Sequence, residues 1–179
     1  MLQNYNKWAV LKVFFDNPSP EGFGLQLREI SRAVKLAPTS VKNYLDNLEK
    51  EGLIVVKRHR VQRYPEYRAN RESEKFRFLK KTDILFSIRH SGLLKYLDDV
   101  CMPDAIVLFG SAARGEDTAD SDIDIFLLCK EKKLDLKKFE KKLKRKISPF
   151  FSSDFNKLSD ELKNNIINGL ILKGYLKVF

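Results

Sequence analysis

Cysteine is scarce in this chain: Cys101 and Cys129 are the only two, and neither stands at a metal-ligand spacing. Cys129 ends an apolar run, which predicts a buried free thiol there. A secretory start is also missing, since Met1-Leu2-Gln3-Asn4-Tyr5-Asn6 lacks the charged-then-apolar order of a signal peptide. No apolar run approaches membrane-spanning length, and no coiled-coil heptad is visible. These absences predict a reduced, cytoplasmic protein with no membrane partner. What is present is ordinary for a globular chain: 43% hydrophobic and 11% aromatic residues over 179 positions, room for one large domain or two small ones.

The formal net charge of +10 is unevenly spread. Residues 50–81 carry 11 Lys/Arg against 4 Asp/Glu, and residues 130–146 carry 10 against 3. Residues 104–124 hold six acids and one base, Arg114. Two basic blocks therefore flank an acidic stretch. Basic surface suits a polyanionic partner, although a charge run on a helix is more often a solvated face.

In the first half, Asn6–Phe15 is apolar nearly all round and reads as a buried helix stopped by Asn17-Pro18-Ser19-Pro20. Arg28–Val34 reads as a second helix, with Leu27, Ile30 and Val34 at helical spacing. After a short turn, Pro38 opens a third helix over 38–51. Val41, Tyr44, Leu45 and Leu48 line its buried face and Gly52 ends it. Leu53–Val56, a basic tip at Lys57-Arg58-His59-Arg60, and Val61–Arg68 then read as a hairpin, with Pro65 marking an edge strand. Helix, helix, turn, helix, hairpin is the order of a winged helix-turn-helix. The segments 27–34 and 40–54 resemble archaeal and bacterial regulators that carry this domain. The resemblance implies DNA as a partner, with Thr39, Ser40, Lys42 and Asn43 facing the major groove and Lys57, Arg58, Arg60 and Arg63 lying along phosphates. A winged helix used for dimerisation or protein contact is the other reading, and a homodimer reading two half-sites fits the first.

Arg71–Asp99 is mostly helical, interrupted at Ser91-Gly92, and reads as a connector. Beyond it an apolar run, Ala105–Phe109, meets Gly110-Ser111; ten residues intervene before Asp122-Ile123-Asp124, which opens a second apolar run. On a strand, residues two apart point the same way, so Asp122 and Asp124 share a face while Ile123 enters the core. Two converging carboxylates can hold Mg²⁺ or Mn²⁺ for phosphoryl transfer. A Gly-Ser turn between strand and helix offers backbone N–H groups and a small hydroxyl to triphosphate oxygens. Downstream, Leu136–Lys146 reads as a lysine-rich helix, Ile147–Phe151 as a short strand, and Glu161–Leu176 as a closing helix and strand.

This pattern resembles the nucleotidyltransferase superfamily related to DNA polymerase β, in its minimal form. Together the two resemblances cover nearly the whole chain. They imply a winged helix-turn-helix over 1–70, a helical connector over 71–100 and an α/β (α+β) minimal nucleotidyltransferase-like domain over 101–179. The implied catalytic and metal residues are Asp122 and Asp124. Gly110, Ser111 and Arg114 would bind the phosphates of an NTP; Arg114 has an equal alternative as a surface residue paired to Glu116 or Asp117. The acceptor would be a hydroxyl of nucleic acid or of protein, as in antitoxin-type members that adenylylate a partner. The chain departs from the family at one point. Active members place a third carboxylate on the strand that here reads Ile147-Ser148-Pro149-Phe150-Phe151; Asp154 lies beyond it and Asp135 before it. Losing a general base costs on the order of 10²–10⁴ in rate. The chain is therefore expected to be either a weak transferase or a DNA-binding transcriptional regulator whose second domain binds nucleotide or metal without turnover.

Overall fold

Val10, Leu11, Phe14 and Phe15 recur at helical spacing and close one side of the first helix onto a core. The structure, a computed structural model, describes residues 2–17, 24–57 and 64–177. It divides into two units, Met1–Lys80 and Lys81–Phe179. In the first unit α1 (Leu2–Asp16) packs with α2 (Leu27–Val34) and α3 (Pro38–Lys50). Glu29 closes the start of α2 by accepting from Gln26 N at 2.7 Å. Lys35 ends it in the left-handed conformation (φ 56°), which turns the chain into α3. Pro38 is the first residue of α3 and Val41, Leu45 and Leu48 are its buried stripe. The hairpin follows as β1 (Ile54–Lys57) and β2 (Glu66–Ala69), antiparallel with Val56 opposite Tyr67.

Pro65 was expected to mark β2 as an edge strand. It directly precedes β2, which is an edge of the two-stranded sheet, and part of its outer side is covered: Leu25 and Tyr67 exchange two backbone hydrogen bonds of 2.9 Å. The cover is a single bridge from the segment before α2, too short to show in any sequence period.

The division between the units falls within α4 (Glu74–Ser91). Phe76 and Leu79 belong to the first core and Ile84, Leu85 and Ile88 to the second, so residues 71–100 contribute to both. Gly92 (φ 84°) breaks the helix and α5 (Leu93–Cys101) follows. The second unit is built on a four-stranded mixed sheet, in the order β5 (Ile147–Ser152), β4 (Ile123–Leu128), β3 (Ala105–Phe109), β6 (Leu170–Gly174). Strand β4 runs parallel to β5; β3 is antiparallel to both of its neighbours. The period-2 rule sorts the side chains into two faces. Ile106, Leu108, Ile123, Ile125, Leu127 and Ile147 pack under α5 and α7 (Lys137–Leu143). Val107 and Phe126 form the other face with Phe155 and Ile166, the latter from α8 (Asp160–Ile167).

Helix α7 stops at Leu143, short of the expected Lys146, because Lys144 adopts a left-handed C-cap (φ 54°) and its N–H bonds back to Glu140 O. Pro149 leaves the β4–β5 register unbroken from Ile123↔Ile147 to Leu128↔Ser152, as it sits on an edge strand with one neighbour. Cys129 is half-buried rather than buried, and Cys101 is buried; both are free thiols. Burial, then the proximity of Cys101, pushes the Cys129 thiol up to about 11, so neither supplies a ready thiolate. Among the described residues no helix is long and apolar enough to cross a membrane.

Candidate functional site

The acidic motif closes one end of the second unit's sheet. Strands β3 and β4 pair with Phe109 opposite Asp124, so the residue after β3, Gly110, lies against the start of β4. Gly110 has φ 71°, and a Cβ built there would stand 2.3 Å from Asp124 Oδ2. Both the backbone conformation and the approach of the carboxylate require glycine. The short helix α6 (Gly110–Arg114) then begins, with Ala112 and Ala113 buried and Ser111 half-buried. Strand alternation puts Asp122 and Asp124 on the Phe126 face, with Ile123 fully buried on the other. Asp122 is exposed and Asp124 half-buried. Burial and then the Asp122 charge push Asp124 above the usual carboxylate range, while Arg145 pulls it the other way.

The loop that delivers Asp122 is latched by Asp117 and Arg145, a pairing that no sequence period signals. Asp117 is only 2% exposed, and Arg145 Nη1 donates to its Oδ2 at 2.7 Å. Arg145 Nε donates to Ser121 O at 2.5 Å, the carbonyl directly before Asp122. Within the loop, Thr118 N donates to Ser121 Oγ at 2.8 Å and Ser121 N to Thr118 O at 3.2 Å. One guanidinium thus holds both ends of a tight turn. A signal was present in the chain: Arg145 is the single arginine among nine lysines in 130–146, and arginine is the base suited to a buried, forked ion pair.

Arg114 pairs with Glu116 at 2.7 Å, half-exposed on the outer side of α6; of the two acids considered for it, Asp117 belongs to Arg145. On β5 the residue in register with Asp124 is Ser148. Neither nearby acid joins the pair. Asp154 accepts from Asn156 N at 3.0 Å and caps the 3-10 turn Phe155–Lys157, and Asp135 accepts from Lys137 N at 3.3 Å. Among the described residues there is no cluster of three or more His, Cys, Asp or Glu suited to a metal ion. The Asp122–Asp124 pair still fits one divalent cation in kind. Asp124 stands against the glycine turn where a Cβ would intrude, and the Asp122 charge, which adds to burial in raising Asp124, is a repulsion that a cation would relieve.

In the first unit, Thr39, Ser40, Lys42 and Asn43 all lie on the exposed side of α3, opposite Val41, Leu45 and Leu48. Lys57 is exposed at the end of β1. Arg58, Arg60 and Arg63, assigned to the hairpin tip, lie outside the described residues.

Comparison with known families agrees with both halves. Residues 91–175 match the family model of polymerase beta, nucleotidyltransferase, and residues 24–55 match that of a winged helix-turn-helix DNA-binding domain. The chain therefore carries a winged helix-turn-helix followed by a nucleotidyltransferase domain of the polymerase beta kind. Neither a curated protein nor a solved structure matches it.

Proposed function

We propose that the second unit transfers a nucleoside monophosphate from an NTP to an acceptor hydroxyl, and that the first unit brings it to DNA in the cytoplasm. The observation that supports this reading is the contact between the glycine turn and Asp124, by which the turn and the two carboxylates share one end of one sheet. In the reaction the acceptor oxygen bonds to the α-phosphorus as the bond to the α–β bridging oxygen breaks. Pyrophosphate leaves with that electron pair and the hydroxyl proton passes to solvent. Asp122 and Asp124 would hold Mg²⁺ or Mn²⁺, which supplies charge neutralisation at the phosphates. Gly110 and Ser111 would orient the β/γ-phosphates, and Arg114 would reach them by exchanging its Glu116 partner. Arg145 keeps Asp122 in place through Ser121 O.

A second reading is favoured by Ser148. With a hydroxyl in register with Asp124, the site has two acids, and phosphoryl transfer has to rest on positioning and electrostatics alone. On this reading the protein is a DNA-binding transcriptional regulator that senses nucleotide or metal. Two measurements separate the readings. Incubation with labelled ATP, CTP, GTP or UTP, Mg²⁺ and candidate protein and nucleic-acid acceptors should give label transfer above that of an Asp122→Asn/Asp124→Asn control. Calorimetry with a non-hydrolysable NTP and Mg²⁺ reports binding separately. Binding without transfer establishes the sensor; neither one removes both readings. On α3, Asn43→Ala should relax DNA sequence preference and Lys42→Ala should weaken binding to all duplexes.

A further inference from the structure

Of the ten basic residues in 130–146, four have a structural task. Lys132 Nζ donates to Val100 O at 2.8 Å and Lys142 Nζ to Ser91 O at 3.2 Å. Lys138 Nζ lies over the Tyr96 and Phe139 rings, and Arg145 holds Asp117 and Ser121. The other six, Lys130, Lys133, Lys137, Lys141, Lys144 and Lys146, are all exposed. Among the described residues no ion pair is formed by any of them. The acids that could have answered them are in part engaged, since Glu140 Oε1 accepts from Ile147 N and Asp135 from Lys137 N. Residues 81–179 contain 18 Lys/Arg and 15 Asp/Glu in all, so more than half of this unit's cations stand in one 17-residue stretch. A solvated face kept for solubility has no need of that asymmetry.

The lysine surface ends at the acidic site. Lys146 O accepts from Ile123 N at 2.9 Å, which extends the parallel ladder one residue beyond β5 and sets Lys146 beside the strand that carries Asp122 and Asp124. Alternation then places Lys146, Ser148 and Phe150 on one side of the edge strand, the side of Asp124 and Phe126, and all three are exposed. The Phe150 ring is 38% exposed and stacks on Phe126, with centroids 6.2 Å apart and planes 29° apart. Helix α7 and its lysines lie on the Ile123–Ile147 side of the sheet and Phe150 on the other, so the two meet around the edge strand at Lys146. Unpaired lysines and an exposed, backed aromatic ring at one sheet edge are the combination that binds a single strand, since cations follow the phosphates and the ring takes a base face. A duplex keeps its base faces stacked, and an acidic protein has no use for the ring.

The geometry points to a second nucleic-acid surface on this chain, separate from the helix-turn-helix: Lys130–Lys146 and Phe150 bind single-stranded nucleic acid and lead it to the Asp122–Asp124 end of the sheet. Binding does not depend on turnover. Where transfer occurs, the strand is its acceptor, and that clause alone rests on the transferase reading.

The test measures anisotropy of a labelled, unstructured 20-nucleotide oligouridylate with the full chain, in EDTA and without NTP, across a salt series. Replacing Lys133, Lys137, Lys141 and Lys146 with Gln should reduce the slope of log K against log salt by about 3, from about 0.7 per contact on a single strand. Affinity at 0.1 M salt should fall on the order of a hundredfold, and the matching four-Arg variant should retain it. Phe150→Leu should weaken binding by about fivefold or more. An Asp122→Asn/Asp124→Asn variant should bind no more weakly than wild type, since it loses only repulsion toward the phosphates, so failure of the transferase reading leaves this result standing. Unchanged slope and affinity in the four-Gln variant would overturn the proposal. So would polyglutamate of equal charge binding as tightly as the oligonucleotide with Phe150→Leu silent, which would assign the surface to an acidic protein.

Discussion

Replacing Arg145 with Met takes away the partner of a carboxylate that is 2% exposed, together with a 2.5 Å hydrogen bond to Ser121 O. Arg145 is itself 12% exposed, so water screens the pair little. Breaking a buried pair from one side costs about 3–5 kcal/mol, because the remaining charge keeps its desolvation penalty. The lower figure is the better one here, since Arg145 Nη2 is buried without a hydrogen-bond partner and the pair is not fully satisfied. At about 1–1.5 kcal/mol/M for a unit of this size, a loss of about 3 kcal/mol moves the urea midpoint by about 2–3 M. The chain offers a way to locate the loss. Trp8 is the single tryptophan and packs in the first unit's core, so its fluorescence follows that unit, while far-UV circular dichroism follows both. Arg145→Met should lower the midpoint of one circular dichroism transition and leave the Trp8 transition in place. Asp117→Leu added to it should recover part of the loss, as apolar replacement of both partners often does. A shift below about 0.5 M, or an equal shift in the Trp8 signal, would refute the latch as a buried local pair.

The parts of the molecule that were legible share one property: they repeat or they sit in a fixed local spacing. Val41, Leu45 and Leu48 announced the face of α3 because a helix returns every 3.6 residues. Asp122 and Asp124 declared a shared strand face for the same kind of reason. Even the opposed exposure of Lys42 and Asn43 follows from that count. What was illegible is tertiary and unrepeated. Arg145 and Asp117 are 28 positions apart, each inside a run of like charge where any member looks interchangeable with its neighbours. The Leu25–Tyr67 bridge joins residues 42 apart through a single pair. The early end of α7 depends on one lysine accepting a left-handed backbone, a position where glycine is the usual signal. Gly110 is the intermediate case. Its glycine could be read from the motif, but its contact with Asp124 required knowing that β3 and β4 pair with Phe109 opposite that residue.

Three further outcomes are expected. Gly110→Ala must place a Cβ 2.3 Å from Asp124 Oδ2 at φ 71°, so it should cost about 1–2 kcal/mol from the backbone alone and abolish any Mg²⁺-dependent thermal shift; equal stability would show that the turn relaxes freely. Glu51 is held below the usual carboxylate range chiefly by its hydrogen bond from Lys7, with Lys75 contributing at 3.3 Å. A depressed carboxylate stabilises the fold above its unfolded value, here 4.5, and that contribution is lost as pH falls through the folded one. Glu51→Gln should therefore be less stable than wild type at pH 6 to 7 and converge with it in acid, and a gap that persists in acid would exclude the ion pair as its source. Last, the Asp122–Asp124 pair should bind Mg²⁺ or Mn²⁺ weakly, with thermal stabilisation appearing at roughly millimolar metal and disappearing in Asp124→Asn. Ser148 is exposed and in register with Asp124 on the parallel neighbour, so Ser148→Asp adds a third oxygen donor to the same face without disturbing the core. That variant should respond at lower metal concentration than wild type and should be less stable than wild type in EDTA, since three like charges then converge. If it gains no metal response while Asp124→Asn still loses one, the carboxylates hold their cation away from β5, and the serine is not what limits the site.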